Sequence, residues 1–180
     1  MNETLIRWKA RIGSLKLVAA VGIGILLMAT VVASHHLVTA LNNPEQPQAV
    51  TMPEVVNGAV SSDRFVTLNG YAKLDHGYQA TTGGRIRSYY YYLLDDQSRS
   101  LIVVKANPET FQGLVSANVS VSGMTRPAPG ALQQLILQDM PGIRDAGYLA
   151  TPAIFLEENA RPPEKFWMFA IVVLLVLGTG

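Results

Sequence analysis

The chain contains no cysteine and few charged residues. Charged side chains make up 15% of its 180 residues, and the formal net charge is +1. Without cysteine there is no disulfide scaffold, so a folded domain must be stabilised by its hydrophobic core. Lys and Arg form no basic run after Lys16, which argues against nucleic-acid binding through bulk electrostatics. We therefore predict no nucleic-acid partner.

Motifs of enzymes and metal sites are missing as well. There is no Gly-x-Ser-x-Gly elbow, and Gly22-x-Gly24 lies inside an apolar run rather than at the turn of a dinucleotide-binding fold. The paired acids Asp95–Asp96 and Glu157–Glu158 are explained by a turn and by a solvated face, respectively. We therefore predict that the protein is not an enzyme, that it has no metal site and that it needs no cofactor.

What the sequence does contain is an apolar segment near each end. Residues 17–41 include no Asp, Glu, Lys or Arg. A helix of about 20 residues crosses the roughly 30 Å hydrocarbon core of a bilayer, so this segment predicts a transmembrane helix. Four cations within residues 7–16 precede it and predict a cytoplasmic N-terminus. The alternative is a cleaved signal peptide, since residues 31–33 and 38–40 resemble small-residue cleavage sites.

Small residues recur within this first segment at helix-packing spacing. Ala20 and Gly24 are four residues apart, and so are Ala29 and Ala33. Small side chains at that spacing let two membrane helices approach each other closely. The pattern predicts a contact with another membrane helix; the alternative is that small residues are common in any membrane span.

Residues 166–180 form the second apolar segment. It has no charge and begins with aromatic residues after Arg161-Pro-Pro-Glu-Lys165, the order expected of an interfacial belt followed by lipid. A helix of this length spans about 22 Å, which is less than a full crossing. We interpret the segment as the beginning of a longer transmembrane helix; the alternative is a buried core helix.

The two segments predict a middle domain on the outer side of the inner cell membrane. Residues 42–165 carry ten Lys or Arg against twelve Asp or Glu, which is consistent with an extracytoplasmic location. We predict a cytoplasmic basic segment at residues 1–16, a transmembrane helix at 17–41 and a linker at 42–63. An extracytoplasmic β-domain at 64–158 follows, then a juxtamembrane stalk at 159–165 and an incomplete transmembrane helix at 166–180.

Strand signals dominate the middle domain. Alternating, β-branched and aromatic residues predict strands at 64–72, 85–94, 101–105, 118–123 and 148–156. Gly83–Gly84 and residues 95–100 predict turns, and Pro152 is expected at an edge or a bulge.

The segments between these strands are helical or ambiguous. Residues 107–113 predict a capped helical turn, with Asn107 as the N-cap and Pro108 in the first turn. Residues 131–138 fit either a helix with one apolar face or a strand, and Pro141–Gly142 predicts a turn.

Five strands with a short helical insert after the third predict a small antiparallel OB-like β-barrel, so the fold class is mainly β with membrane helices. Residues 64–126 resemble the OB barrel of the membrane-anchored cytochrome c maturation haem chaperones, through the Leu94-Asp-Asp96 turn, the 107–113 insert and the Val119-Ser-Val-Ser-Gly123 strand. The resemblance implies an inner N-terminus, one anchor and an outer barrel. The haem-attaching histidine of that family has no counterpart, because no histidine follows His76. The two-anchor layout is also similar to that of the Surf-type assembly proteins.

Three histidines are the candidate ligands for a cofactor. His35 and His36 lie at the outer end of the first span, where neutral imidazole would ligate haem or chlorophyll-type magnesium; the alternative is a solvated pair. His76 follows Asp75 in a predicted polar loop. This pair is the candidate chemistry of an envelope enzyme, and the alternative is an exposed loop histidine.

Four consecutive tyrosines, residues 89–92, alternate between the two faces of a predicted strand. Tyr90 and Tyr92 share one face, and Arg85 and Arg87 lie on the same strand. Exposed tyrosines beside arginines predict a partner-binding surface or a platform for glycans. The alternative is that the tyrosines fill the core.

We conclude from the sequence that the protein is a membrane-anchored accessory, scaffold or assembly subunit of a larger membrane complex. Its predicted partners are the lipid bilayer and other membrane-protein subunits. The alternatives are an envelope haem-type carrier or enzyme that uses His35 and His36 or Asp75 and His76, and a glycan-binding module.

Overall fold

The computed structural model describes the backbone of residues 3–179 and the side chains of residues 20–165 and 167–175, and over this part of the chain it contains five helices and a mixed six-stranded sheet. In chain order the helices and strands are α1 (Glu3–Asn42), β1 (Gln48–Ala49), α2 (Met52–Val56), β2 (Phe65–Thr82), β3 (Arg85–Asp95), β4 (Ser100–Ala106), α3 (Pro108–Gln112), β5 (Asn118–Pro127), α4 (Gly130–Asp145), β6 (Leu149–Glu158) and α5 (Lys165–Thr179). Residues 42–162 form one compact unit, and residues 1–41 with 163–180 form another.

Two apolar helices belong to the second of these units. The stretch Ala20–Asn42 of α1 has 23 residues and the composition of a helix that crosses a membrane, which is also that of a signal sequence. Its large apolar side chains are exposed, among them Met28 at 75% and Val31 at 70%. The 15 residues of α5 reach about 22 Å, short of a full crossing. The cations predicted to orient α1, within residues 7–16, lie outside the described side chains.

β2 organises the sheet in the unit of residues 42–162. It has 18 residues, of which Phe65–Tyr71 pair with β5 and Tyr71–Thr82 pair with β3. β3 pairs with β4, β4 with β6 and β6 with β5, so the pairings of the five longer strands return to β2. The expectation of a purely antiparallel sheet is wrong, because β4 is parallel to β6 and β1 is parallel to β2.

The main core lies on the inner face of this sheet. Alternate residues of each strand point inward, so β2 contributes Leu68 and Ala72 while β3 contributes Tyr91 and Leu93, all of them at most 1% exposed. Met52 of α2 packs into the same core. The segment predicted as a linker, residues 42–63, therefore contributes to the folded unit.

A second core lies between the outer face of the sheet and α4. Leu132, Ile136, Met140 and Ile143 form one buried stripe along α4, which settles the ambiguity of residues 131–138 in favour of a helix. The turn predicted at Pro141–Gly142 is wrong, because α4 continues through both residues. Packing of the apolar stripe on both sides of the proline outweighs its local cost of about 3 kcal/mol in a helix.

The local sequence patterns correctly predict the turn between β2 and β3, the start of α3 and the position of Pro152. Gly83 and Gly84 have positive φ values of 59° and 75°, the geometry of a two-residue hairpin turn between β2 and β3. The Asn107 side chain accepts a hydrogen bond of 2.7 Å from Thr110 N, which confirms the predicted N-cap of α3. Pro152 lies where the β4–β6 register shifts, as expected for proline in a strand.

Gly123 supports a close approach of two strands and offers a test of the fold. A Cβ atom at Gly123 would overlap the backbone carbonyl of Glu157 on β6, which cannot move without disturbing the β5–β6 pairing. We expect Gly123→Ala to lower the free energy of unfolding by about 1–3 kcal/mol. Denaturant unfolding of the full chain in detergent, monitored by near-ultraviolet circular dichroism, measures the change in the free energy of unfolding.

Gly142→Ala is the matched control for Gly123→Ala. No atom lies within 4 Å of its Cβ position, and alanine is favoured over glycine in a helix by about 1 kcal/mol. We expect this variant to be as stable as the native chain or more stable. Equal stability of Gly123→Ala and the native chain would contradict the close approach.

Candidate functional site

A tyrosine–aspartate cluster (Tyr78, Tyr92 and Asp139) joins α4 to the outer face of the sheet. The hydroxyl of Tyr92 on β3 lies 2.6 Å from the hydroxyl of Tyr78 on β2. Tyr92 also donates to Asp139 Oδ2 on α4 at 2.8 Å, and Tyr78 donates to the same oxygen. The cluster therefore ties together three elements that are distant in the chain.

The two hydroxyls of this cluster are weaker acids than an ordinary tyrosine. Burial, followed by the hydrogen bond to Asp139, raises the pKa of Tyr78 to about 12. Burial, followed by the hydrogen bonds with Tyr78 and Asp139, raises the pKa of Tyr92 further above its ordinary value. Both hydroxyls are protonated at neutral pH, so they act as hydrogen-bond donors rather than as general bases.

A cavity of about 550 Å³ opens beside the cluster, between α4 and the sheet. Leu101 and Ile143 form part of its apolar lining, and Lys73 and His76 lie at its polar side. His76 Nδ1 is 3.3 Å from Asp75 Oδ2, with side-chain exposures of 65% and 66%. None of the described hydrogen bonds joins His76 to a hydroxyl group, so this part of the chain assembles no catalytic triad.

The position of Asp75 and His76 differs from the expected loop. Both residues lie inside β2, where the register with β3 shifts between Lys73 and Gly77. A bulge of this kind redirects side chains without ending the strand. The bulge explains why the pair is solvent-exposed although β2 continues on both sides of it.

A network of ion pairs connects β4, β5 and β6. Lys105 Nζ lies 2.6 Å from Glu157 Oε1, and Arg126 Nε lies 3.4 Å from Glu157 Oε2. Arg126 Nη1 also pairs with Asp63 Oδ1 at 2.5 Å. Burial alone would raise the pKa of Glu157, but Lys105 and Arg126 outweigh it and hold the pKa below the ordinary value.

Glu158, the next residue, has the opposite environment. Its Oε2 atom is buried without a hydrogen-bond partner among the described residues, and so is the hydroxyl oxygen of Tyr91. Burial raises the pKa of Glu158, and burial together with the charge of Glu158 raises the pKa of Tyr91. The paired acids expected on a solvated face are therefore both half-buried, one within an ion-pair network and one without a cation.

The predicted partner residues of β3 fall into two groups. Tyr92 is 5% exposed beneath α4, and half-buried Tyr90 meets the edge of Phe155 with ring centroids 6.0 Å apart. Neither is available as an open stacking platform. Arg85 and Arg87 are exposed near the β2–β3 turn. A partner contact at these two arginines remains a prediction.

His35 and His36, the predicted cofactor ligands, both lie on α1. His35 and His36 are exposed, with ring centroids 6.0 Å apart and a tilt of 57°. Successive residues on a helix point about 100° apart, so the pair does not converge on one ligand position. Binding of haem or chlorophyll-type magnesium remains a prediction. Within the described residues no group of three or more His, Cys, Asp or Glu side chains could hold a metal ion.

The predicted helix-packing residues differ in exposure along α1. Ala20 and Gly24 are exposed, and no atom lies within 4 Å of the Cβ position of Gly24. Ala29 is half-buried and Ala33 is 6% exposed. A contact with another membrane helix at Ala20 and Gly24 remains a prediction.

Sequence reasoning missed Tyr78 and Asp139. They are separated by 61 positions and meet only because α4 packs against the outer face of the sheet. No local motif marks either residue. The amphipathic stripe of α4 was the available signal, because it requires an apolar surface beneath the helix.

Comparisons with protein-family models, curated proteins and solved structures found no significant match to this chain.

Removal of one hydroxyl tests the tyrosine–aspartate cluster. Tyr92→Phe removes the most buried donor to Asp139, and we expect it to lower the free energy of unfolding by about 1–3 kcal/mol and to increase hydrogen exchange of α4. Denaturant unfolding and amide hydrogen exchange measure the two effects. Tyr89→Phe is the control, because its hydroxyl makes no described hydrogen bond, and we expect a change within about 0.5 kcal/mol. Unchanged exchange of α4 in Tyr92→Phe would contradict a tie through the cluster.

We expect Glu157 and Glu158 to affect the pH dependence of stability in opposite directions. The folded-state pKa of Glu158 is raised, so its contribution to stability is present below the unfolded pKa and is lost as pH rises through the folded pKa. The folded-state pKa of Glu157 is lowered, so its contribution is present above the unfolded pKa and is lost as pH falls through the folded pKa. We expect Glu158→Gln to stabilise the protein at neutral pH and Glu157→Gln to destabilise it there. Unfolding midpoints from acid to neutral pH measure both, and a shift in the same direction at neutral pH would contradict the assignment.

Proposed function

We propose that the protein is a membrane-anchored, non-enzymatic subunit whose β unit acts as an accessory or assembly module of a larger membrane complex. The observation that carries this proposal is the combination of an exposed apolar helix with a separately packed β unit. Only 6% of the apolar stretch of α1 is buried, whereas residues 42–162 have their own core.

The exposed surface of α1 supports anchoring in lipid. In the described part of α1, nine large apolar side chains are more than half exposed: Val21, Ile23, Ile25, Leu27, Met28, Val31, Val32, Val38 and Leu41. Apolar surface left in water costs about 25 cal/mol per Å², and lipid removes that cost. The 23-residue stretch is about 34 Å long, enough to cross the hydrocarbon core. The cations before it support a cytoplasmic N-terminus and an extracytoplasmic β unit at the inner membrane.

α5 is proposed as part of a second anchor. Trp167 and Phe169 near its start are each 62% exposed, and Leu174 further along is 69% exposed. Aromatic side chains at the start of an apolar helix favour the interface between water and lipid.

We further propose that the five longer strands close as an OB-like barrel. The pairing of β2 with both β3 and β5 supports closure. The position of α3 between β4 and β5 supports the same interpretation, because a helical insert after the third long strand is expected in the predicted barrel. A closed barrel leaves few unpaired strand edges, so contacts with a partner must use side chains or projecting turns.

The β2–β3 hairpin is the surface that favours a role in assembly. All residues from Thr81 to Arg87 are exposed, including apolar Ile86 at 38%. Arg85 and Arg87 make no described ion pair within the chain, so both cations are free for an acidic partner surface. By contrast, Lys105 and Arg126 are already used within the fold.

Photo-crosslinking in native membranes tests the assembly role. A photoreactive amino acid at Arg85 is expected to form an adduct with another membrane protein, because the hairpin is exposed. The same amino acid at Gln112, an exposed position on α3, is the control and is expected to form none. Light scattering in mild detergent should give a particle larger than one copy of the chain. A monomeric particle with no adduct from Arg85 would overturn the proposal.

A further inference from the structure

A second open groove lies beside the β3–β4 turn, and Leu94 lines both this groove and the α4 cavity. Four residues form its floor and are here called the amide platform: Asn69 and Tyr71 on β2, and Asn118 and Ser120 on β5. The register pairs Asn69 with Ser120 and Tyr71 with Asn118. Leu68 and Ala72 point into the core, so alternation places the platform on the outer face of the two strands.

Two walls turn the platform into a groove. The β3–β4 turn contributes Asp96 and Gln97, and the start of α2 contributes Thr51. The space between these walls has a volume of about 710 Å³, within the range of about 300–1,000 Å³ that is typical of ligand sites. The site is therefore large enough for a short chain of rings.

The side chains of the groove are free to bind. Asn69, Gln97, Asn118 and Ser120 make no side-chain hydrogen bond within the described part of the chain. Each amide offers a carbonyl acceptor and two N–H donors. Tyr71 is 38% exposed, so the groove also presents an aromatic face. These groups contribute little to the fold and are available to a ligand.

The charges in the groove exclude several classes of ligand. No Lys, Arg or His lines it, whereas Asp95 and Asp96 do, so an anionic ligand or a nucleic acid would meet two uncompensated carboxylates. Asp95 already accepts hydrogen bonds from Gln97 N and from the Ser98 hydroxyl, and Asp96 accepts one from Tyr148. Within the described residues, no third His, Cys, Asp or Glu side chain joins these two carboxylates to form a metal-ion site.

We propose that this groove binds a neutral oligosaccharide. One sugar ring packs its C–H face on Tyr71, and the hydroxyls of the sugar exchange hydrogen bonds with Asn69, Asn118 and Gln97. Hydroxyls match amide side chains because both groups donate and accept. A lipid tail would leave the amide and hydroxyl groups of the groove without hydrogen-bond partners, although Val50 and Val119 also line it. The site is independent of the proposed assembly role, since it lies away from Arg85 and uses none of the residues at the hairpin.

Calorimetric titration of the full chain tests the proposal. The protein is held in a detergent without a sugar headgroup and titrated with cellotriose, chitotriose and maltotriose. We expect saturable binding of at least one trisaccharide, about tenfold weaker or more in Tyr71→Ala and retained in Tyr71→Phe, which keeps the ring. A galacturonate trimer is expected to bind more weakly than the neutral sugars, because it carries negative charge.

Leu135→Ala is the matched control, because Leu135 is 39% exposed on α4, almost the same as Tyr71. Circular dichroism establishes that each variant is folded. The proposal is overturned if no neutral trisaccharide binds, if Leu135→Ala weakens binding as much as Tyr71→Ala does, or if the galacturonate trimer binds most tightly. None of these results bears on crosslinking at Arg85, so the site and the assembly role fail separately.

Discussion

The division of β2 between two partner strands is the constraint on which the rest of the β unit depends. Residues Phe65–Tyr71 pair with β5 and residues Tyr71–Thr82 pair with β3, so the partner of β2 changes at Tyr71, next to Gly70. A side chain at Gly70 would meet Met52 of α2 at 2.5 Å and the carbonyl oxygen of Leu94 at 2.6 Å. The lack of a Cβ atom thus lets α2 and β3 pack closely against β2 at this point, beside the main core.

The same long strand contributes residues to both open sites beside the β3–β4 turn. In its first half β2 provides Asn69 and Tyr71 to the amide platform, and in its second half it provides Tyr78 to the cluster under α4. The bulge between Lys73 and Gly77 separates these halves. Because the bulge resets which residues face outward, Asn69 and Tyr71 before it and Tyr78 after it all lie on the outer face of the sheet, in two sites with different chemistry.

The sequence predicted local structure better than tertiary contacts. The strands, the Gly83–Gly84 turn and the Asn107 cap follow from patterns of adjacent residues, and such patterns reflect steric and hydrogen-bonding preferences of the backbone. Pro141 was misinterpreted because its helix depends on burial of a stripe against a distant sheet. The burial of Tyr92 could not be predicted from the sequence either, because only the packing of α4 decides whether the outer face of β3 is exposed or covered.

The same reasoning explains which parts of the candidate sites the sequence did not mark. The tyrosine–aspartate cluster and the platform join residues that are about 50–60 positions apart, and no short motif encodes such pairs. The residue types alone are uninformative, since asparagine and tyrosine on a strand are usually structural or solvated. Only the register of β2 with β5 brings Tyr71 beside Asn118.

The distribution of hydrogen bonds separates the two kinds of site. Tyr92 and Asp139 are satisfied within the chain, so a change to either affects α4 and the stability of the fold. The side chains of Asn69 and Asn118 have no partner among the described residues, so the fold gains little from their identity. Surface amides gathered around an exposed aromatic ring contribute little to packing, and their arrangement is consistent with the proposed ligand. On this ground the amide platform, rather than the buried cluster, is the stronger candidate for recognition, and the cluster acts in holding α4 in place.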